Sequence, residues 1–268
     1  MIKNILDDNQ VNTENVYIGY CPERVLPGNI MRELVENARV IGGINEDSTE
    51  EISNFYKTFV KGEILKTKAR IAEMCKLTEN SFRDINIAFA NELSIICEKN
   101  KIDVWELINL ANHHPRVNIL QPGTGVGGHC IAVDPWFIVS KNPKESPLIK
   151  TARNVNDNKP KWVINKIEIE ADSINTKKIA CFGLSFKPDI DDLRESPAIK
   201  VVNSLIEKGY DVVCVEPNIE KHDTYKLSNI DEAIEDCELI AILVKHKEFE
   251  LIDVKKFRDK TVINFCGS

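Results

Sequence analysis

The residue types best suited to chemistry lie in one glycine-rich segment, PGTGVGGHCIAVDPWF, at residues 122–137. Four of its glycines precede Cys130, and Asp134 follows that cysteine by four positions. Glycines let a backbone approach a ligand closely and present its N–H groups, and an exposed thiol at the end of such a turn can act as a nucleophile. The segment therefore predicts a reactive Cys130. The alternative is a structural turn beside an idle cysteine.

A second candidate group combines a helix and a turn. Lys76 and Asn80 are four residues apart, so a helix would place both side chains on one face. Glu23 and Arg24 belong to the turn YCPER, which follows an extended apolar piece. For Lys76 and Asn80, the alternative is a stripe of solvent-exposed polar residues on the helix. For Glu23 and Arg24, the alternative is an ordinary surface turn.

A third candidate is the loop GLSFKPDIDDLRES, residues 183–196, which follows an apolar run. Lys187 and Arg194 are expected at the carboxyl end of a strand, where phosphates usually bind. A helix that begins near Ser196 would add N–H groups to such a site. A purely structural loop is the alternative.

Bulk composition limits the class of protein. The 268 residues are 43% hydrophobic and 29% charged, as in ordinary globular proteins, and suffice for one large or two modest domains. The net charge of −7 argues against binding nucleic acid, and no apolar run is long enough for a membrane helix. Acidic residues near the start argue against a secretory signal, so a cytoplasmic protein is expected.

The eight cysteines show neither C-x-x-C pairs nor zinc spacing, so no metal site is predicted. Free cysteines usually pack as small hydrophobic residues. Those expected in the core, because they lie in or beside apolar runs, are Cys181, Cys214 and Cys237.

Two N-terminal zones are expected to position part of the site. The first zone, residues 1–66, is expected to contain extended pieces at 16–18 and 40–43 and a helix capped by Ser48. The second, residues 67–160, is a helical subdomain whose spine is predicted from Ala69 to Lys99, where apolar residues recur at three- and four-residue steps. A shorter helix is predicted from Asp103 to Asn112.

The third zone, residues 161–268, alternates strands with helices and predicts a doubly wound α/β domain with a parallel sheet. One helix is expected from about Pro197 to Lys208, with Gly209 just after its end. The buried strands are expected at 179–182, 212–215, 239–244 and 262–265.

Four segments in this order resemble the UDP-glucose/GDP-mannose dehydrogenase family: YCPERVLPGN, KLTEN, HPRVNILQPGTGVGGHCIAVDPWF and FGLSFKPDIDDLRESPA. They are most similar to the branch that acts on UDP-N-acetylmannosamine. The resemblance implies a four-electron oxidation of the sugar C6 alcohol to a uronic acid by two NAD molecules. It also implies that the first zone is the remnant of an N-terminal Rossmann domain that binds NAD, and that the third zone binds UDP-sugar.

The resemblance also implies the roles of individual residues. Cys130 would form a thiohemiacetal and then a thioester. Lys76 would assist deprotonation of the alcohol and stabilise the oxyanion, and Asn80 would help to hold the bound oxygen or water. Asp134 and Glu23 would activate the water that hydrolyses the thioester.

The remaining residues carried over from the resemblance bind ligands. Arg194 would contact NAD. A homodimer or higher oligomer is expected, with Arg116 reaching across the interface. For His129 a general-base role is the alternative to the preferred substrate or packing role. The residues expected to bind UDP-sugar are Arg24, Arg116, Gly125, Val126, Gly127, His129, Phe186 and Lys187.

Residues 1–60 depart from the family pattern because they contain no G-x-G-x-x-G turn. Most of the NAD-binding domain is therefore expected to lie outside this chain, through an internal start, a split gene or truncation, with a separately encoded domain as a candidate partner. Alternative functions are a non-catalytic UDP-sugar-binding or dimerisation module, and a dehydrogenase of UDP-N-acetylglucosamine or UDP-glucose. A thiol hydrolase is disfavoured because no His/Asp dyad has a recognisable spacing.

Overall fold

The computed structural model describes residues 2–13, 16–25 and 29–267, which belong to two compact units, Met1–Glu79 and Asn80–Ser268. Residues 26–28 of the predicted turn segment YCPERVLPGN lie outside these ranges. Within them, no helix is both long and apolar enough to cross a membrane.

Unit 1, Met1–Glu79, is built around a three-stranded sheet. Strand β2 (Arg39–Gly43) is buried along its whole length between β1 (Gly19–Tyr20) and β3 (Ile64–Lys68). It pairs antiparallel with β1 and parallel with β3, and helix α3 (Glu46–Lys57) connects the two parallel strands. The other elements are α1 (Ile2–Asp8), α2 (Ile30–Glu36) and the first residues of α4 (Ala69–Lys99).

Two details of this unit differ from the sequence prediction. The strand lies at Gly19–Tyr20 rather than at residues 16–18, because it is Gly19 and Tyr20 that pair with the glycines ending β2. Helix α3 begins at Glu46, and Ser48 is not its N-cap. The cap is Asn45, whose side chain accepts the Ser48 N–H at 2.8 Å.

Unit 2, Asn80–Ser268, contains the rest of α4, and the predicted limits of that helix are confirmed at both ends. Helix α5 (Val104–Ala111) begins after Asp103, whose carboxylate accepts two backbone N–H groups of its first turn. The helices that follow are α6 (Asp134–Lys141) and α7 (Pro147–Ser173).

The C-terminal part of unit 2 is a four-stranded parallel sheet in the order β5-β4-β6-β7. Helices alternate with the strands, so the predicted doubly wound α/β fold is confirmed. The strands are β4 (Lys178–Phe182), β5 (Asp211–Val215), β6 (Leu239–Ile242) and β7 (Thr261–Asn264). The helices are α8 (Pro197–Glu207), α9 (Ile230–Asp236), α10 (Lys247–Glu250) and a 3₁₀ turn, Val254–Phe257.

Alternate strand residues face opposite helical layers. Ile179 and Cys181 pack against α7 and α8, whereas Ala180 and Phe182 pack against α9 and α10. The core positions predicted for Cys181, Cys214 and Cys237 are confirmed. Strand β6 ends at Ile242, two residues earlier than predicted, and the Leu243 carbonyl after it accepts the Thr124 hydroxyl.

Candidate functional site

A pocket of about 700 Å³ lies at the carboxyl ends of β4, β6 and β7 in unit 2. Segments following these three strands line it, together with residues 121–125 of the glycine-rich segment and the start of α8. Trp105 and Asn109 of α5 complete the wall. Its size and mixed polar and apolar lining are typical of small-molecule sites.

The position of this pocket follows from the strand order. The chain passes from β4 to β5 on one side of β4 and then crosses to β6 on the other. The loops after β4 and β6 therefore leave in opposite directions and open a crevice, which is the usual ligand site of a doubly wound sheet. Ser185, Phe186, Leu243 and Lys245 come from these two loops.

The glycine-rich segment packs tightly against the loop after β4. A Cβ added at Gly127 would lie 2.6 Å from the Glu195 carbonyl oxygen and 2.9 Å from Phe186 Cβ, and one at Gly128 would lie 3.0 Å from the Phe186 ring. Gly128 also has a φ of +78°, which side chains rarely adopt. Two segments predicted to bind UDP-sugar are thus in contact.

Cys130 is half-buried and lies in the turn that leads into α6. Its carbonyl oxygen accepts the Asp134 N–H at 2.8 Å. The Asp134 carboxylate in turn accepts a hydrogen bond from Asn80 Nδ2 at 2.5 Å. Three of the residues predicted to be catalytic are therefore linked within unit 2.

Arg194 and Asp192 form an ion pair in the loop after β4. Asp192 accepts three hydrogen bonds from the Arg194 guanidinium at 2.6–3.0 Å. This bond raises the pKa of Arg194, and the charge of a Cys130 thiolate acts in the same direction. The Arg194 bond lowers the pKa of Asp192, with a smaller contribution from His129. His129 thus acts electrostatically on Asp192, and Cys130 acts on Arg194.

The expected N–H groups of α8 are already occupied. Pro197 has no N–H, and the Ser196 hydroxyl accepts the N–H groups of Ala198 and Ile199. The prediction that this helix end offers free donors to a phosphate is therefore wrong.

Three residues predicted to bind UDP-sugar do not belong to the lining of the pocket in unit 2: Lys187, Arg116 and Val126. Lys187 and Arg116 are exposed, while Val126 is half-buried. Gly125 has a φ of +149°, and a Cβ there would lie 3.1–3.3 Å from Pro160 and Pro197. It therefore fixes the segment against α7 and α8.

In unit 1, the turn after β1 contacts the start of α4. The Lys76 ammonium donates to the Glu23 carbonyl oxygen at 2.8 Å, and Arg24 forms an ion pair with Glu79. Burial raises the pKa of Glu23, but hydrogen bonds from the Arg24 N–H and the Arg39 guanidinium outweigh it and lower the pKa overall. The Glu23 carboxylate is thus held ionised, as a general base requires.

Sequence reasoning missed a buried pair that holds the loop after β4. Glu216 directly follows β5, and its carboxylate accepts the N–H groups of Leu184 and Ser185 at 2.7 and 3.0 Å. His246 Nε2 lies 3.1 Å from the same oxygen, and His246 Nδ1 accepts the Asp189 N–H at 2.9 Å. The signal was available, because both residues follow strands at the carboxyl edge of the sheet.

Replacing Glu216 by glutamine should loosen the loop after β4. Burial raises the pKa of Glu216, but hydrogen bonds from His246 and from backbone N–H groups outweigh it and bring the pKa to about 2. The stabilisation, about 3 kcal/mol, is present above the unfolded value of 4.5 and is lost as pH falls through 2. Acid unfolding followed by circular dichroism should show a lower stability at pH 7 and a weaker dependence on pH between 4.5 and 2. Identical acid profiles would contradict this role.

Comparison with known proteins defines the class of protein. Residues 70–158 match the sequence model of the UDP-glucose/GDP-mannose dehydrogenase family central domain, residues 180–266 match its UDP binding domain, and residues 1–60 match its NAD binding domain. The chain belongs to the UDP-glucose/GDP-mannose dehydrogenase family. The interpretation of the first zone as part of an NAD-binding domain agrees with the third match.

The chain is also similar to individual members of this family. The UDP-N-acetyl-D-mannosamine dehydrogenase of Campylobacter jejuni is 57% identical over 260 residues, covering 94% of this chain and 63% of the relative. An NDP-N-acetyl-D-galactosaminuronic acid dehydrogenase of Ralstonia nicotianae is 50% identical over 263 residues, covering 96% and 62%. A structure of the S. aureus UDP-N-acetyl-mannosamine dehydrogenase Cap5O matches with a TM-score of 0.89 and 38% identity, covering 100% and 68%. The chain thus spans 62–63% of the length of these two curated relatives.

Residues 1–60 match a domain that binds NAD. Within this region, we asked whether the turn between β2 and α3 could hold the pyrophosphate of NAD. A Cβ at Gly43 would lie 2.4 Å from the Thr49 N atom, so the turn is closed by its own backbone. Glu46 and Asp47 in the first turn of α3 would repel a phosphate. This turn does not fit a pyrophosphate.

Proposed function

We propose that this chain takes part in the NAD-dependent oxidation of UDP-N-acetylmannosamine at C6 to the uronic acid. One observation carries the proposal: the pocket at the carboxyl edge of the C-terminal sheet is bounded by the glycine-rich segment that leads to Cys130. The glycine-rich segment thus contributes both to the proposed nucleotide pocket and to the candidate nucleophile. The names of the C. jejuni and S. aureus relatives support the substrate.

The UDP moiety would occupy the pocket of unit 2. Phe186 lines it, and its ring packs against the glycine turn, so binding there would order both segments. Lys187 is exposed and available to pair with the diphosphate. Gly125 and Gly127 would let the backbone approach the sugar.

The chemistry turns a primary alcohol into a carboxylate, with loss of two hydrides and addition of one water oxygen. NAD, when bound, accepts the hydrides. Lys76 would assist removal of the hydroxyl proton as C6 loses the first hydride, which gives the aldehyde. The Cys130 thiolate would then add to the aldehyde carbon to form a thiohemiacetal, and loss of the second hydride would leave a thioester.

Hydrolysis of the thioester restores the thiolate. Asp134 would take a proton from water, which then adds to the acyl carbon and expels Cys130 with release of the uronate. The hydrogen bond from Asn80 holds the Asp134 carboxylate in one orientation. The ionised Glu23 of unit 1 is the other proposed base, and the exposed Arg194 is the residue proposed for NAD.

Oligomer formation is also proposed from the surface of unit 2. Phe82, Phe89 and Ile96 occur every seven residues on α4 and are 67%, 52% and 48% exposed. Residues at this spacing form one stripe along a helix, and an exposed apolar stripe usually marks an interface. We propose that a second copy of this chain covers it, with Arg116 reaching across. The eight free cysteines are consistent with a cytoplasmic protein.

Calorimetric titration with UDP and with UDP-N-acetylmannosamine tests the pocket. The Gly127→Ala variant should weaken binding roughly 10- to 100-fold, because its Cβ would overlap the Glu195 carbonyl and Pro197. Gly209→Ala is the matched control: its φ of +87° makes the added Cβ strained, but Gly209 is not part of the pocket lining. Equal affinities for the two variants would place UDP elsewhere.

The same titration separates the enzyme from a non-catalytic module. A module would bind UDP-sugar without binding NAD and without forming NADH. An enzyme would bind both and produce NADH, which absorbance records directly. Comparison of UDP-N-acetylmannosamine with its C2 epimer, UDP-N-acetylglucosamine, and with UDP-N-acetylgalactosamine would identify the substrate.

A further inference from the structure

Within unit 2, helices α4 and α7 meet along a seam of polar side chains, all of them buried except the half-buried Ser94. Polar groups in such a place are costly unless each finds a partner. The α4 side contributes Asp84, Asn91 and Ser94, and the α7 side contributes Arg153, Asn156 and Lys159.

A chain of hydrogen bonds runs from this seam to the glycine-rich segment. Arg153 pairs with the Asp84 carboxylate at 2.5 Å, and Asn156 Nδ2 donates to the same oxygen at 2.8 Å. Asn91 Nδ2 donates to Asn156 Oδ1 at 2.9 Å, and the Gly123 N–H donates to Asn91 Oδ1 at 2.9 Å. The three links made by amide groups are therefore of normal length.

The orientation of both amides is set by Asp84. An ionised carboxylate only accepts hydrogen bonds, so Asn156 must turn its NH₂ group toward it. This leaves Asn156 Oδ1 facing Asn91, which must then present its own NH₂ group. Asn91 Oδ1 consequently faces Gly123 and can accept its N–H.

The next residue is anchored elsewhere. Thr124 Oγ1 donates to the Leu243 carbonyl oxygen at 2.6 Å, after β6, and this contact is buried. Gly123 thus fixes the segment to α4, while Thr124 fixes it to the sheet. Helix α4 also carries Asn80, the partner of Asp134.

We propose that Asn91 and Asn156 are positioning residues: their hydrogen-bond relay holds the glycine-rich segment in register with α4 and thereby sets the placement of Cys130. The inference rests on the proposed function only for the role of Cys130. The relay acts through the Gly123 N–H and touches no substrate.

The test compares Asn91→Leu with Ser94→Ala in the full chain. Asn91→Leu removes both hydrogen bonds that Asn91 contributes to the relay. Ser94→Ala removes the half-buried hydroxyl that accepts from Lys159 in the same seam and leaves both of those bonds in place. Hydrogen–deuterium exchange of peptides covering residues 121–131 should accelerate about tenfold in Asn91→Leu. The Cys130 alkylation rate by iodoacetamide, read by peptide mass spectrometry, should also rise severalfold. Ser94→Ala should leave both at the wild-type value despite a lower melting temperature.

If Asn91→Leu does not fold, Asn91→Ser, whose hydroxyl is too short to bridge both partners, takes its place with the same expectation. Wild-type exchange and alkylation in the folded variant, or equal changes in Ser94→Ala, would overturn the proposal. Neither readout requires turnover. If the protein forms no NADH, the proposed function fails. The exchange and alkylation rates would still decide whether the relay positions the glycine-rich segment.

Discussion

Replacing Cys130 by alanine should abolish uronate formation in any preparation of the protein that oxidises UDP-N-acetylmannosamine. Without the thiol, no thiohemiacetal can form, so the second hydride has no path to a thioester. We expect uronate formation to fall at least about 10³-fold, as is typical when a covalent nucleophile is lost. NADH formation should not exceed one equivalent per substrate. Absorbance measures the NADH, and mass spectrometry measures the sugar product.

Cys237→Ala is the control for the loss of a cysteine, because Cys237 is buried in the core against the second face of the C-terminal sheet. It should retain uronate formation. Cys130→Ala should still bind UDP with an affinity close to that of the wild type, which shows that the pocket is intact. Uronate formed at the wild-type rate by Cys130→Ala would remove the thiol from the mechanism.

Replacing Arg153 by methionine should destabilise unit 2 by about 3–5 kcal/mol. Arg153 and Asp84 are both fully buried and form an ion pair, and Asp157 is the second partner of the guanidinium. The variant leaves the Asp84 charge buried without its cation. Chemical denaturation followed by fluorescence should show the loss at pH 8.

The pH dependence gives this prediction a second readout. Burial raises the pKa of Asp84 to about 6, although Arg153 opposes the rise. Because the folded value exceeds the unfolded value of 3.8, the contribution of Asp84 to stability is present below pH 3.8 and is lost as pH rises through 6. Without Arg153 the folded value should rise further, so the variant should be less impaired at pH 5 than at pH 8.

An exposed ion pair provides the control. Lys208 and Glu168 form a 2.7 Å pair in which the lysine side chain is 43% exposed. Lys208→Met should therefore change the free energy of unfolding by at most about 1 kcal/mol at either pH. A similar small change in Arg153→Met would mean that the buried pair does not stabilise the fold.

Short-range sequence patterns correctly predicted the helices and strands whose limits depend on residues close together in the sequence. The apolar periodicity gave both ends of α4, and apolar runs between turn residues gave the four strands of the C-terminal sheet. Gly209 marked the end of α8, where its φ of +87° is the usual helix stop. In these cases the residues that decide the structure are neighbours in sequence.

Helix α7 shows where local reasoning fails. Pro160 lies inside this helix, although proline usually ends or kinks one because it lacks an N–H group. The helix continues because packing against the sheet stabilises it, and Pro160 itself is buried beside Gly125. Such tertiary packing is invisible in a local pattern.

The candidate site residues were named from motifs, whereas the residues that support them were not. Hydrogen bonds connect Cys130, Asp134 and Asn80, and their catalytic roles stay predictions. The partners that fix the loops were missed because they come from distant segments. Asn91 lies 32 residues before Gly123, and Glu216 lies 32 residues after Leu184.

The most direct measurement is mass spectrometry of the peptide containing Cys130, taken from an acid-quenched reaction of the Asp134→Asn variant with UDP-N-acetylmannosamine and NAD. With the proposed water-activating carboxylate removed, a sugar acyl group should accumulate on the Cys130 sulfur. NADH formation with an unmodified Cys130 peptide, or a sugar adduct on a different residue, would contradict a thioester at this cysteine.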